Sequence, residues 1–217
     1  MDSRAKTARK LHDLPICYKY LLRLPGQRMQ EAGLRNVLDF GCGYGQAFEA
    51  LREVGWDVMG TDLVQRVADK DWHPLDHPAW MNPKRYDVVV LSNVVNVQSR
   101  VSELNETLLT AFKCLEERVH LNEFPTVVWN YPDEPRKIDG GWGSEKMMHH
   151  VCQRFDHMVR YYGDCVACVK LVMVHKSGWA TEYLADGHLG RYDKHMFKRH
   201  GSMLTFRTDG KGGVINV

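Results

Sequence analysis

Seven residues, Asp39-Phe40-Gly41-Cys42-Gly43-Tyr44-Gly45, place an acid and three glycines where an apolar run stops, and a second acid, Asp62, stands at the end of the next apolar run. Glycines there permit positive φ in a tight turn and let a ligand approach the backbone where a Cβ would block it. If a helix opens just after the turn, its first amides and its dipole favour a negative group such as a carboxylate or phosphate. An acid at the second run's end suits hydrogen bonds to ribose hydroxyls. Two details narrow the ligand. A dinucleotide fingerprint wants Gly or Ala at its sixth position, where this chain has Gln46, and a carboxylate at Asp39 would repel a pyrophosphate. The same carboxylate is useful beside an ammonium or a sulfonium. A ligand with positive charge and a ribose is expected, and S-adenosylmethionine meets that description.

The elements that must hold these residues are readable from periodicity. Asp13 as cap, Pro15 in the first turn and Ile16, Tyr18, Leu21 and Leu22 as an apolar face predict a first helix, ended by Pro25-Gly26. Asn36 to Phe40 reads as a short buried strand, Gln46 to Val54 as a helix closed by Gly55, and Asp57 to Thr61 as a second strand. The inner face of that helix is Ala47, Phe48, Ala50, Leu51 and Val54. Residues 64–85 read as irregular, broken by Pro74, Pro78 and Pro83. Tyr86 to Leu91 is a continuous apolar run that suits a strand covered on both faces. A helix capped by Ser102 runs to Leu115 on Leu104, Leu108, Ala111 and Phe112, and Pro125 to Trp129 is the next strand. Asp139 to Gly143 reads as a loop, Ser144 as the cap of a helix carrying Met147, Met148, Val151, Cys152 and Phe155, and Val166 to Val174 as a strand. A terminal strand is expected at Met203 to Arg207. Such alternation predicts a doubly wound, mostly parallel α/β sheet with ligands at the carboxyl ends of its strands. The expected organisation is a helical N-terminal extension over 1–35, a ligand-binding α/β domain over 36–175, and a C-terminal addition over 176–217 packed on the same domain.

The composition agrees with one globular unit. The chain has 217 residues, 44% hydrophobic and 26% charged, which excludes a disordered chain. Its apolar runs are too short for a membrane span, which needs ~18 residues or more, and MDSRAKTARK lacks the apolar core of a secretory signal, so a cytoplasmic protein is expected. The six cysteines read as reduced thiols. The net charge of +2 divides into +5 over 1–35, −8 over 36–145 and +5 over 146–217. An acidic centre suits a cationic ligand and basic flanks suit an anionic partner, although solvated faces explain the pattern equally.

In order and spacing, the chain resembles class I S-adenosylmethionine-dependent methyltransferases. The resemblance spans roughly 34–132 and rests on Val37 to Gly45, Gly60-Thr61-Asp62-Leu63 and Tyr86 to Val97. It implies that Asp39, Gly41 and Gly43 hold the methionine moiety, with Cys42 and Gly45 in the same loop. It also implies that Asp62 binds the ribose hydroxyls beside Leu63, and that Ser92, Asn93 and the residues to Asn96 line the floor near the methyl group. A narrower likeness, carried by Lys6 to Leu11 and Asn93 to Val97, is to methyltransferases associated with DNA phosphorothioation. The chain departs from them in extra residues between Asp62 and Tyr86 and in its C-terminal part.

The acceptor is not legible. Asn96 and Tyr131 are expected to meet it, and His73, His77, His149 and His150 are further candidate bases, each also explicable as a structural or exposed residue. No Asp-Pro-Pro-Tyr follows the Tyr86 strand and no Pro-Cys dipeptide occurs, which disfavours the known base-methylating chemistries. Cys165-Val166-Ala167-Cys168 lacks a second half, so packing is preferred over zinc and no metal site is expected. The basic, aromatic stretch from Arg191 to His200 fits a nucleic-acid surface or an ordinary exposed face. The expected activity is methyl transfer from S-adenosylmethionine, yielding S-adenosylhomocysteine, to a small-molecule, protein or nucleic-acid acceptor. The alternatives are a non-catalytic module that binds S-adenosylmethionine or a nucleotide and acts through its basic flanks, and a nicotinamide oxidoreductase.

Overall fold

The computed structural model describes residues 13–73, 86–115, 124–132, 142–162 and 168–185, and the backbone of 207–208 and 214–215. The chain opens with two short helices, α1 (Ile16–Leu21) and α2 (Leu24–Glu31). It continues through β1 (Asn36–Phe40), α3 (Phe48–Glu53), β2 (Asp57–Thr61), β3 (Val88–Leu91) and α4 (Val101–Lys113). Then come β4 (Thr126–Trp129), α5 (Ser144–Tyr162), β5 (Val169–Val174) and β6 (Ala180–Ala185). Strands β7 (Arg207–Thr208) and β8 (Val214–Ile215) pair with each other, antiparallel. The main sheet runs β2-β1-β3-β4-β5-β6, parallel from β2 to β5, with β6 antiparallel on the edge.

Both faces of this sheet are covered, and the strands divide their side chains between them. Leu38, Val89, Leu91, Val127, Trp129, Leu171 and Met173 join α4 and α5 in one core. Val37, Val88, Val90, Val128, Val172 and Val174 join α1, α2 and α3 in the other. Residues two apart point the same way, so a run such as Val88-Val89-Val90-Leu91 is buried throughout only because each face has its own helices. The connection through α3 packs on one face and those through α4 and α5 on the other. The switch in winding falls between β1 and β3, where the rule for open α/β sheets puts a ligand crevice at the carboxyl ends of the strands.

Several local expectations are corrected by competing contacts. Asp13 does not cap α1: its carboxylate pairs with Lys19, and Pro15 occupies the N-cap. Pro25-Gly26 does not close that helix but lies in the first turn of α2, where a proline's missing N–H costs nothing. A Cβ at Gly26 would stand 1.8 Å from the Leu21 carbonyl oxygen, so only glycine lets α2 turn this closely against the end of α1. Helix α3 begins at Phe48 rather than Gln46, and Val54, at its C-cap, is 45% exposed. Ser102 lies inside α4. The cap there is Glu103, whose Oε2 accepts from Ser99 N, Ser99 Oγ and Arg100 N at 3.0, 2.8 and 3.3 Å. Ser144 is the first helical residue of α5, because the Met147 N–H bonds the Gly143 carbonyl at 3.0 Å. The five predicted inward residues of α5 are all buried. The edge strand β6 has no strong apolar alternation and is set by pairing along β5 from Val169↔Ala185 to Val174↔Ala180. The expected loop at Asp139–Gly141 and most of the strand at Met203–Arg207 lie outside the described residues. No helix among the described residues is long and apolar enough to cross a membrane.

Candidate functional site

The glycine turn sits at the crevice. Gly41, Gly43 and Gly45 take φ of 83°, 57° and 64°, the left-handed region that disfavours a Cβ. At Gly41 the reason is also steric, because a Cβ there would lie 2.5 Å from Val94 Cγ2 in the loop after β3. The turn's own amides are mostly spent. Gly41 and Cys42 donate to the Thr61 carbonyl at 2.7 and 3.0 Å, Gly45 donates to the Cys42 carbonyl at 3.0 Å, and Gly43 donates to Asp62 Oδ2 at 2.8 Å. With α3 only six residues long and starting beyond the turn, the loop is not the amide-lined anion cradle that its glycines suggested.

Two carboxylates flank the turn instead. Asp39, on β1, is 1% exposed, and its two oxygens accept from the Tyr18 hydroxyl at 2.8 and 3.0 Å. Burial raises its pKa to about 7, the Tyr18 hydrogen bond pulls it down, and the negative charge of Asp62 adds to the rise. Asp62, just past β2, bonds Gly43 N with one oxygen and Leu63 N, at 2.6 Å, with the other. Arg66 reaches to 3.8 Å of Asp62 Oδ1 and lies over the Tyr44 ring at 5.7 Å. Leu63 and Tyr44 are exposed at 49% and 44%, apolar surface beside the Asp62 carboxylate. Cys42 is a buried filler whose thiol pKa is raised by desolvation, with Asp39 and Asp62 adding to it, so it is no nucleophile.

The floor comes from the ends of β3 and β4, neighbours in register through Leu91↔Trp129. Asn93 adopts φ 57° and forms a closed pair with Asn130. Asn93 N donates to Asn130 Oδ1 at 2.7 Å, and Asn130 Nδ2 donates to Asn93 Oδ1 at 2.8 Å. The Cys17 thiol of α1 also donates to Asn130 Oδ1 at 3.4 Å. Ser92 is buried beside Cys17 and Tyr18. Asn96 lies in the short 3-10 turn Val95–Val97, and its Oδ1 is buried with no hydrogen-bond partner among the described residues. The Tyr131 hydroxyl, one residue beyond Asn130, is likewise buried and unpartnered among them, and burial raises its pKa. Unsatisfied buried polar atoms are uncommon, and Thr61 Oγ1, Ser92 Oγ and Trp129 Nε1 are in the same condition among the described residues.

The histidines divide differently. His73 Nδ1 is 2.9 Å from the Tyr86 hydroxyl, and Tyr86 precedes β3 at the opposite end from Asn93. His150 Nε2 meets Asn105 Oδ1 at 3.0 Å and its ring packs on Trp142 at 4.8 Å, so it joins α5 to α4. His149 lies 3.6 Å from Glu145 one turn earlier on α5. His77, Cys165 and Arg191 to His200 lie outside the described residues, as does Lys6 to Leu11. Among the described residues no cluster of His, Cys, Asp or Glu could hold a metal. Sequence reasoning missed Tyr18, Cys17 and Asn130. Tyr18 and Cys17 read only as parts of a helix ahead of the domain, and Asn130 as the residue after a strand. Asn130 could have been suspected from its place at a strand's carboxyl end.

A parallel sheet in this order, with a glycine turn after β1 and an acid after β2 at the switch in winding, defines a Rossmann-like α/β domain of the class I methyltransferase kind. A sequence profile for a methyltransferase domain matches residues 9–160, about 70% of the chain, and the chain belongs to that family. No curated protein matches it.

Proposed function

We propose that the protein transfers a methyl group from S-adenosylmethionine. The observation that carries this reading is the pair of carboxylates, Asp39 and Asp62, set on either side of a glycine turn whose amides are mostly bonded within the protein. Burial makes Asp39 costly to ionise and Asp62 makes it more so, a balance that a cation relieves and a pyrophosphate worsens. The residues present therefore fit this cofactor. Asp39, with Gly41, Cys42, Gly43 and Gly45, would hold its methionine end, and the free lone pairs of Asp62 would take the ribose hydroxyls beside Leu63. Ser92 and Asn93 would form the floor, while Asn96 and Tyr131 face the acceptor.

When bound, the cofactor supplies a methyl on a sulfonium, a good leaving group that departs as neutral S-adenosylhomocysteine. The chain then has to align the acceptor's lone pair with that methyl and keep water out, which for well-positioned reactants is worth ~7–11 kcal/mol. The Asn93–Asn130 pair fixes the loop after β3 to the end of β4, so the acceptor and cofactor sides are held in one rigid floor. Asn96 Oδ1 and the Tyr131 hydroxyl, without partners among the described residues, supply an acceptor and a donor to orient a substrate. The substrate can be a small molecule, a protein or a nucleic acid, the last favoured by the basic flanks.

Thermal denaturation with S-adenosylmethionine, S-adenosylhomocysteine and NAD tests the reading. A ligand at 100 times its dissociation constant adds ~2.7 kcal/mol of stability. Protection is expected from the first two and is lost in Asp62→Ala, whereas protection by NAD alone overturns the proposal. Binding without transfer of labelled methyl to small-molecule, protein or nucleic-acid pools would favour the non-catalytic module.

A further inference from the structure

Helix α1 lies ahead of the α/β domain in sequence, yet two consecutive residues on it touch residues of β1 and of the segment just past β4. Cys17 touches Asn130 at the end of β4, and Tyr18 touches Asp39 on β1. The Tyr18 contact is the tighter one: a single hydroxyl shared between both carboxylate oxygens at 2.8 and 3.0 Å, with the tyrosine 6% and the aspartate 1% exposed. A donor placed between the two oxygens fixes the rotation of the carboxylate. It still leaves lone pairs on each oxygen for a second partner.

We propose that Tyr18 is a positioning residue of the cofactor pocket, aiming Asp39 at the cofactor's ammonium and holding it in the charged form. The inference rests on the S-adenosylmethionine reading and names a group outside the glycine turn on which that reading depends. A neutral acid attracts an ammonium weakly, so the ionisation of Asp39 sets affinity. The groups that face Asp39 are Tyr18 and Cys17 from α1, Cys42 from the turn and Asp62 after β2, with Arg66 behind Asp62. Among these, Tyr18 favours the carboxylate and Asp62 opposes it. The Tyr18 phenol is itself held well above its ordinary value by burial and by Asp39, so it stays a donor through the working range.

The test is calorimetric titration with S-adenosylhomocysteine, which carries the ammonium and ribose without the reactive methyl, between pH 5.5 and 8.5. Wild-type affinity is expected to rise with pH and level off. In Tyr18→Phe the midpoint moves to higher pH, so that affinity falls about tenfold at pH 7 and returns to within about twofold at pH 8.5, the pattern expected when a charge-assisted hydrogen bond is lost. A curve superimposable on wild type, or a loss equal at every pH, overturns the proposal. Asp39→Asn should bind weakly with no pH dependence over this range, and wild-type pH dependence in that variant also overturns it. If Tyr18→Phe does not fold, 3-fluorotyrosine at position 18 replaces it. Its more acidic hydroxyl should move the midpoint to lower pH, and an unmoved midpoint counts against the proposal. Wild-type protein that fails to bind S-adenosylhomocysteine at any pH rejects the underlying cofactor reading, an outcome distinct from binding that ignores Tyr18.

Discussion

Replacing Gly41 by alanine should cost stability through two separable effects. The residue holds φ 83°, and the left-handed region costs a residue with a Cβ ~1–2 kcal/mol. The added methyl would stand 2.5 Å from Val94 Cγ2, an overlap that can be cleared only by moving a buried valine or the turn itself. Overpacking of that kind costs ~1–3 kcal/mol. Together Gly41→Ala should lose ~2–5 kcal/mol in wild-type background. The second effect belongs to one methyl group. With Val94 truncated to alanine, the nearest remaining atom is Val94 Cβ at 3.9 Å, an ordinary contact. In that background Gly41→Ala should cost only the backbone part, ~1–2 kcal/mol, giving a coupling of ~1–3 kcal/mol between the two sites. Denaturant unfolding of the four proteins of this cycle, read by fluorescence with slopes compared, measures it. Additive losses, or a Gly41→Ala variant within about 0.5 kcal/mol of wild type, would refute the claim that the glycine turn rests directly on the loop after β3.

Other substitutions probe the same crevice. Asp39→Asn should be more stable than wild type at pH 8 while binding the cofactor poorly. The native carboxyl titrates near 7 and the unfolded one near 3.8, so wild-type stability is full below the lower value and declines as pH rises through the higher one. The gap between the two proteins should therefore close as pH falls towards 4, and thermal melts across this range read it. Asn130→Ala leaves the Asn93 N–H without its 2.7 Å partner and should cost about 1 kcal/mol in denaturant unfolding, with methyl transfer impaired more than cofactor affinity. Cys17, Cys42, Cys114 and Cys152 are buried, and burial pushes the Cys114 thiol up to about 12. In native protein at pH 8 a thiol reagent should leave all four unlabelled until denaturant is added, as peptide mass mapping would show.

The boundaries of β1 and β2 were legible to the residue, because a short apolar run stopped by glycine or followed by an acid has few other solutions. The inner faces of α4 and α5 were legible for a similar reason, since a 3.6-residue apolar repeat states which side is buried. Helix starts were less readable. Asp13, Ser102 and Ser144 are all good caps by type, yet Asp13 found Lys19, Glu103 reached back past Ser102, and Ser144 was drawn into its helix. Capping is a contest among nearby donors and acceptors worth about 1 kcal/mol, small enough for one neighbour to decide.

At the site the division is sharper. Amino-acid order alone determined a glycine turn between two acids and a strand–helix alternation that puts them at the carboxyl edge of a parallel sheet, because glycine φ, apolar periodicity and right-handed crossovers are local or topological rules. It did not determine which group would bond to Asp39, whether the turn's amides would face a ligand, or that Asn93 and Asn130 would lock together. Those depend on partners far apart in sequence: Tyr18 from a helix before the domain, Thr61 at the end of β2 and Asp62 just past it, and Asn130 after β4. Hydrogen bonds of this kind form only once packing has brought these segments together, since their net strength is too small to draw such distant segments in by themselves.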